Sequence, residues 1–128
     1  LYVTNADGTG SPTKVSGPLI STGDVFEFKW SPDGNSIAYL ADQDTDTYID
    51  LYVSSATGGS NVSISMGLNG EEVTDFAWSD DSQRIAFSTG PEGRSPQANK
   101  LYVSQPDGND RREITPAMTG GPLHFEYD

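Results

Sequence analysis

Residues 28–39 read Phe28-Lys29-Trp30-Ser31-Pro32-Asp33-Gly34-Asn35-Ser36-Ile37-Ala38-Tyr39, and they carry the clearest structural signal in the chain. Phe26, Phe28 and Trp30 alternate with charged residues, which is the period of a strand with one buried face. The segment Ser31–Gly34 is a tight-turn signal, because proline presets φ, aspartate binds nearby backbone amides and glycine accepts a positive φ. An apolar run follows at once. The stretch therefore predicts a β-hairpin.

The same hairpin pattern occurs again further along the chain. Phe76-Ala77-Trp78-Ser79-Asp80-Asp81-Ser82-Gln83-Arg84-Ile85-Ala86-Phe87 matches the first copy residue by residue. The second copy has Asp80-Asp81-Ser82 where Pro-Asp-Gly is expected, so we expect a different turn type with the hairpin kept. Phe125-Glu126-Tyr127-Asp128 lines up with the start of the pattern and predicts the beginning of a third copy.

A second element repeats out of phase with the hairpin. Leu-Tyr-Val occurs at Leu1–Val3, Leu51–Val53 and Leu101–Val103, and each copy is followed by a Gly-containing turn and a short β-type segment. Repeats of this length indicate a repeat architecture. Four short antiparallel strands in about fifty residues, with turns between them, are typical of one β-propeller blade. The sequence therefore predicts an all-β protein of about two and a half propeller blades.

The repeat phase sets the expected domain limits. Residues 1–24 are expected to form a partial blade (its third and fourth strands), 25–74 one blade, 75–122 another, and 123–128 the first strand of the next. A propeller closes as a ring of about 4–8 blades, so these repeats make an incomplete ring, which is the expectation for a fragment. Either the natural polypeptide is longer, which we favour, or copies associate to complete the ring or stack.

Aromatic residues recur at matching positions of the two hairpins. We expect Trp30 and Trp78 to be mostly buried in equivalent layers between neighbouring blades. Tyr2, Tyr52 and Tyr102 point to the opposite side from Leu and Val of their strands. They are expected to fill the neighbouring layer.

Charge limits the class of partner. The chain carries 19 acidic against 7 basic residues, and no Lys or Arg lies between Trp30 and Asp81. Such a surface repels phosphate backbones and argues against nucleic-acid binding, whereas it suits a cation or a basic protein. Cysteine is absent, and no apolar run approaches the length of a membrane span, so disulfides and membrane insertion are not expected.

One loop carries a pattern associated with metal binding. Asp42, Asp44, Asp46 and Asp50 occupy positions 1, 3, 5 and 9 of a loop resembling an EF-hand, and alternating aspartates can turn hard oxygens toward Ca²⁺. A complete EF-hand is excluded, because Thr47 replaces the turn glycine and Val53 the bidentate glutamate. The alternatives left open are a looser calcium loop and a solvated acidic hairpin.

No catalytic constellation is recognisable. The single histidine, His124, has no second histidine or cysteine beside it in the sequence, and Gly-x-Ser-x-Gly is absent. Ser54 and Ser104 recur by repeat position, which indicates a structural role. Asn61-Val62-Ser63 matches the N-glycosylation pattern, which is common by chance. We therefore expect no enzymatic activity from these residues.

These motifs resemble the TolB-like β-propeller repeat, a relative of the WD-type repeat. The residues that carry the resemblance are Trp30–Gly34 with Ile37-Ala38-Tyr39, Leu51-Tyr52-Val53, and Asp107-Gly108 through Thr115. The resemblance implies a periplasmic or secreted scaffold that binds a protein partner. It extends to the propeller of prolyl oligopeptidase-like enzymes, which filters substrates for a separate hydrolase domain. A calcium-stiffened extracellular repeat protein is the third interpretation.

Overall fold

A computed structural model describes residues 1–68, 70–91 and 100–114, and the chain is all-β over these residues, with no helix among them. The ten strands are β1 (Tyr2–Val3), β2 (Thr13–Lys14), β3 (Val25–Trp30), β4 (Ser36–Ala41), β5 (Asp50–Ser55), β6 (Asn61–Ser63), β7 (Glu71–Trp78), β8 (Ile85–Pro91), β9 (Lys100–Ser104) and β10 (Arg112–Glu113). The predicted all-β class is confirmed.

The strands form two four-stranded antiparallel sheets and one two-stranded sheet. The first blade has the order β3-β4-β5-β6, the second has β7-β8-β9-β10, and β1 pairs with β2. Both blades have a register shift at the same place in their first strand, between Val25 and Glu27 and between Val73 and Asp75. The sheets therefore repeat one another, as the predicted propeller blades require, and the described residues do not close a ring.

The structure places the first strand of the second blade earlier than the sequence pattern indicates. β7 starts at Glu71, so the predicted limit between residues 74 and 75 would fall inside that strand. The strand β3 begins at Val25, which is the predicted first residue of the first complete blade. The expected strand at 123–128 lies outside the described residues.

The two hairpin turns have the same backbone, so the expected change of turn type in the second blade is wrong. Gly34 has φ +73° and Ser82, its counterpart, has φ +61°. In each turn the aspartate two residues after the leading serine accepts that serine's hydroxyl at 2.6 Å. Ser82 adopts this left-handed conformation and also accepts a hydrogen bond from Asp33 N at 3.0 Å, which links the turns of the two blades.

The main core lies between the two four-stranded sheets. Its buried residues come from the inner face of the first blade and the facing side of the second, and they are Ala38, Leu40, Ile49, Leu51, Val53, Ile64, Val73, Phe76, Trp78, Ile85, Phe87 and Tyr102. Apolar burial of this kind is the main stabilising term in a packed domain. The blades are thus joined by a continuous hydrophobic layer.

The two repeat tryptophans differ in burial. Trp78 is 8% exposed and lies in the core between the blades, as predicted. Trp30 is 45% exposed, so its predicted burial is wrong. The physical reason is that Trp78 packs against β3 of the first blade, whereas the two-stranded sheet β1-β2 offers no equivalent of β3 to Trp30.

Two of the three repeat tyrosines, Tyr52 and Tyr102, are buried as predicted. Tyr52 stacks on Tyr39 with a centroid distance of 5.4 Å, and Tyr102 stacks on Phe87 at 5.3 Å. All four rings are buried. Tyr2 is 63% exposed, and so does not fill the layer expected for it.

Candidate functional site

The Asp42–Asp50 loop connects β4 to β5 and is anchored by its first aspartate. Asp42 is 5% exposed, and its Oδ1 accepts a hydrogen bond from Asp24 N at 2.6 Å. Its Oδ2 accepts one from Thr47 N at 3.2 Å. Thr47 has φ +66°, the left-handed conformation that favours glycine. Asp42 therefore holds the loop in shape by binding backbone amides at both of its oxygens.

The next two aspartates of the loop are exposed and contact different parts of the chain. Asp44 Oδ2 accepts a hydrogen bond from the Tyr52 hydroxyl at 3.0 Å. Asp46 Oδ1 accepts one from Thr22 Oγ1 at 3.0 Å. Burial, together with the carboxylate of Asp44, raises the pKa of Tyr52. The phenol therefore remains a hydrogen-bond donor to Asp44 throughout the physiological range.

Asp50 is the partly buried member of the set. Its Oδ1 accepts a hydrogen bond from Ser65 Oγ at 2.5 Å, and Ser65 Oγ in turn accepts one from Leu51 N at 2.9 Å. Burial raises the pKa of the Asp50 carboxyl, and the Asp44 carboxylate raises it further, against the opposing effects of Ser65 and Arg111. The charged form of Asp50 is therefore disfavoured by its surroundings.

The four predicted ligands share one loop but are held by separate partners. Within residues 1–68, 70–91 and 100–114, no three His, Cys, Asp or Glu side chains lie together as a group that could hold a metal ion. Calcium prefers six to eight oxygen ligands, so Asp42, Asp44, Asp46 and Asp50 would have to be rearranged to supply several of them. The calcium site stays a prediction that a binding measurement must test.

A shallow cleft of about 280 Å³ adjoins this loop. Its lining residues are Thr45, Tyr48, Asp50, Met66, Gly67, Leu68 and Gly70. The Tyr48 hydroxyl lies 2.7 Å from Leu68 O and 2.6 Å from Glu71 O, which ties the loop to the entry of the second blade. Met66 is 67% exposed at the rim. The cleft thus presents acidic and apolar groups side by side at the surface.

A polar network below the loop was not recognised in the sequence. The Tyr39 hydroxyl donates to Gln43 Oε1 at 2.8 Å, and Gln43 Nε2 donates to Asn61 Oδ1 at 2.9 Å. Asn61 Nδ2 donates to Ser54 Oγ at 2.8 Å and lies 2.5 Å from the Tyr39 hydroxyl. The side-chain nitrogen that glycosylation would modify is therefore already engaged in hydrogen bonds inside the protein. Asn61 has a structural role, as do buried hydrogen-bonded polar groups in general.

Gly17 closes this network from the β1-β2 side. Gly17 N donates to the Tyr39 hydroxyl at 3.2 Å. A Cβ atom at this position would lie 2.5 Å from Gln43 Nε2 and 2.8 Å from Asn61 Oδ1. Only glycine fits without moving these buried side chains, so the network requires a residue with no side chain here.

Lys29 is the main residue at the blade interface that sequence reasoning missed. Its Nζ donates to Phe76 O at 2.7 Å, lies 4.6 Å from the Phe76 ring centroid, and contacts Asp75 Oδ1 at 3.4 Å. The Lys29 carbonyl accepts a hydrogen bond from Trp78 Nε1 at 3.2 Å. In the sequence, Lys29 reads only as the polar half of an alternating strand, so no local signal could reveal these contacts.

The remaining candidate residues of the sequence have structural positions or lie outside the described part. Ser54 is buried, and its Oγ donates to Val15 O at 2.5 Å. Ser104 is buried, and its Oγ donates to Gln105 O at 2.9 Å. His124 lies outside the described residues. Among the described residues there is no helical segment that could span a membrane.

Comparison with known proteins supports the fold and leaves the family open. A solved structure assigned as TolB from Agrobacterium tumefaciens superposes with a TM-score of 0.61 and 23% identity, covering 91% of this chain and 37% of that one. Dipeptidyl-peptidase 5 of Porphyromonas gingivalis is 29% identical over 108 residues, which is 79% of this chain and 16% of the peptidase. No family model matches. The chain has the TolB-like propeller fold and spans well under half of each of these proteins.

Proposed function

We propose that this chain is a non-catalytic propeller segment that acts as a protein-interaction scaffold in the cell envelope or outside the cell. The observation that carries the proposal is the four-stranded blade fold shared with the TolB structure over 91% of the chain. Blades are rigid frames that display loops for binding. The net charge of −12 favours a partner with a basic surface.

The β4–β5 loop and its cleft are the proposed contact region for that partner. The loop exposes Asp44 and Asp46, and Thr45 and Asp50 of the same loop line the cleft with the exposed Met66. A basic side chain placed here would gain charge complementarity, and the rim would supply apolar contact area. Charge attraction is therefore proposed to guide the partner to this surface, and apolar packing to contribute once the partner is bound.

Site-specific photocrosslinking tests this proposal. A photoreactive residue at exposed Thr45, in the loop, should capture one partner from the native envelope fraction, and the same residue at exposed Thr9 serves as the matched control. With the purified partner, Asp44→Asn with Asp46→Asn should weaken binding, and the difference should shrink at high salt because the charges are exposed. Equal capture at both positions would contradict the proposal. So would an affinity that changes neither with the two substitutions nor with the salt concentration.

A second candidate is a substrate-filtering propeller of a prolyl oligopeptidase-like enzyme. The similarity to dipeptidyl-peptidase 5 favours it, since that protein is a peptidase and the match covers 79% of this chain. The activity would belong to a serine hydrolase domain elsewhere in the full gene product. Labelling of the full-length product by a serine-reactive fluorophosphonate probe would support this candidate, and a full-length product that stays unlabelled would rule it out.

A further inference from the structure

The two blades differ at the end of the strands where their hairpin turns lie. In the first blade, Ala56 N donates a hydrogen bond to Asn35 O at 2.9 Å, one residue beyond the last pair of β4 with β5. In the second blade the pairing of β8 with β9 stops one pair earlier in the repeat, at Ile85 and Ser104. The first-to-second and third-to-fourth strand turns are therefore joined in the first blade and separated in the second.

One residue of the sequence accounts for this difference. The second blade reads Leu-Tyr-Val-Ser-Gln-Pro where the first reads Leu-Tyr-Val-Ser-Ser-Ala, so Pro106 stands in the place of Ala56. Proline has no backbone N–H and cannot make the hydrogen bond that Ala56 makes. Gln83, the counterpart of Asn35 in the hairpin repeat, therefore keeps a carbonyl oxygen to which no backbone N–H of the described residues donates.

A cleft of about 340 Å³ lies between the two separated turns. Its lining residues are Gln83, Arg84, Gln105, Pro106 and Asp107. The Asp107 carboxylate accepts hydrogen bonds from Asn109, and Arg84 uses one terminal nitrogen to bind Asp110 at 2.8 Å. In the part of the chain that the structure describes, the side-chain amide of Gln105 has no hydrogen-bond partner. The cleft therefore holds an unpaired carbonyl oxygen, an unpaired amide and further guanidinium N–H groups.

The exposure of the cleft belongs to the turns themselves, whether or not another blade lies against the sheet. The first blade demonstrates this, because the second blade packs on it. The first-blade residues equivalent to the cleft lining are all partly or fully exposed, and they are Asn35, Ser36, Ser55, Ala56 and Thr57. None of them belongs to the core between the blades. A covered blade thus still presents these turns to solvent.

We propose that this cleft binds an extended peptide segment of a partner protein. A backbone N–H of the segment donates to Gln83 O, in the way that Ala56 N donates to Asn35 O in the first blade. Each peptide residue carries one donor and one acceptor, so an adjacent carbonyl of the segment accepts from the Gln105 amide or the Arg84 guanidinium.

The repeat favours a peptide over other polar ligands, because the chain itself fills the equivalent position of the first blade with a backbone amide. The cleft volume is at the lower end of the range for binding pockets, which suits a few residues of extended chain. The proposal rests on the interaction role above. It uses the opposite end of the strands from the β4–β5 loop, so the two contacts are independent.

A random heptapeptide library displayed on phage is the probe. The library is first depleted on Pro106→Ala, which restores the N–H that Ala56 has and should close the cleft, and is then selected on the wild type. Selected peptides, made synthetically, should bind the wild type saturably by calorimetry. Methylation of one backbone nitrogen of the peptide should weaken binding about tenfold or more, the effect of losing one hydrogen bond to Gln83 O.

Variants of the protein identify the surface used. Gln105→Ala, which removes an exposed donor and no contact within the described residues, should weaken peptide binding several-fold. Pro32→Ala makes the proline-to-alanine change at an exposed turn of the first blade and should leave binding unchanged. In Pro106→Ala, the new amide hydrogen at position 106 should exchange with solvent about as slowly as that of Ala56. Circular dichroism checks that each variant keeps its sheet structure.

Three results would overturn the proposal. The first is that selection on the wild type enriches no peptide. The second is that Gln105→Ala and every backbone-methylated peptide bind as the unmodified pair does. The third is rapid exchange of the amide at position 106 in Pro106→Ala, which would show that Gln83 O is out of reach.

Maltotriose serves as the competing probe in the same calorimeter. Saturable maltotriose binding that Gln105→Ala weakens, with no peptide enriched, would assign the cleft to carbohydrate and also overturn the proposal. Capture of a partner at Thr45 is measured separately, so failure of this cleft leaves the β4–β5 loop proposal standing.

Discussion

The two repeat tryptophans provide an internal comparison of burial and stability. We expect Trp78→Ala to cost about 3–5 kcal/mol of unfolding free energy, the range for truncating a core aromatic. Trp78 is 8% exposed against 45% for Trp30. For a side chain that can bury about 250 Å², this difference is roughly 90 Å², or about 2 kcal/mol at about 25 cal/mol/Å². Trp30→Ala should therefore cost about 2 kcal/mol less.

The loss of one hydrogen bond widens the difference. Trp78 Nε1 donates to Lys29 O, and truncation leaves that carbonyl without this donor, at a cost of about 1 kcal/mol. Urea melts followed by circular dichroism give both free energies without relying on tryptophan emission. Equal costs for the two variants within about 0.5 kcal/mol, or a larger cost for Trp30→Ala, would refute the assignment of Trp78 to the core and of Trp30 to an open face.

Three further predictions concern Gly17, Asp50 and calcium binding by the β4–β5 loop. Gly17→Ala should destabilise the fold by about 1–3 kcal/mol in urea melts, because its Cβ would overlap Gln43, and a wild-type midpoint would contradict the fit. Asp50→Asn should raise the melting temperature at pH 7, because above the unfolded-state pKa the raised carboxyl pKa of Asp50 costs stability. That gain should vanish below about pH 4, the unfolded-state pKa, because a protein whose carboxyl pKa is raised on folding loses stability as the pH rises above that value. A gain that does not change with pH would exclude this cause. If the loop binds calcium, added Ca²⁺ should raise the melting temperature of the wild type but not of Asp44→Ala. If calorimetric titration with Ca²⁺ gives no heat and a chelator leaves the melting temperature unchanged, the loop is a solvated acidic hairpin.

The pattern of the hairpin made the strands predictable. Alternation from Phe26 to Trp30, the Ser-Pro-Asp-Gly turn and the spacing of Leu1, Leu51 and Leu101 are local signals, and they correctly predict the strands, the positions of the hairpin turns and the four-stranded blades. The turn type predicted for the second blade is wrong, because Ser82 takes the left-handed conformation that serine rarely adopts. Its hydrogen bond with the neighbouring turn is a tertiary contact.

The candidate site shows the same division. The alternation of Asp42, Asp44 and Asp46 is visible in the sequence, but their partners are not. Asp42 binds the backbone of Asp24 and Thr47, and Asp46 binds Thr22, which is 24 residues away. Whether neighbouring carboxylates converge on a cation or bind separate donors depends on the packing around them, which spacing alone does not encode.

The all-β class, the blade repeat and the excess of acidic residues can be read from the sequence alone, since strand period, turn chemistry and charge are properties of short segments. Which of the two repeat tryptophans is buried depends on tertiary packing, because a tryptophan is covered only where another strand lies against its face. Tertiary packing likewise decides that Lys29 joins the blades and that Gly17 closes the polar network. These contacts join residues far apart in the chain, so their energies arise only when the sheets pack together.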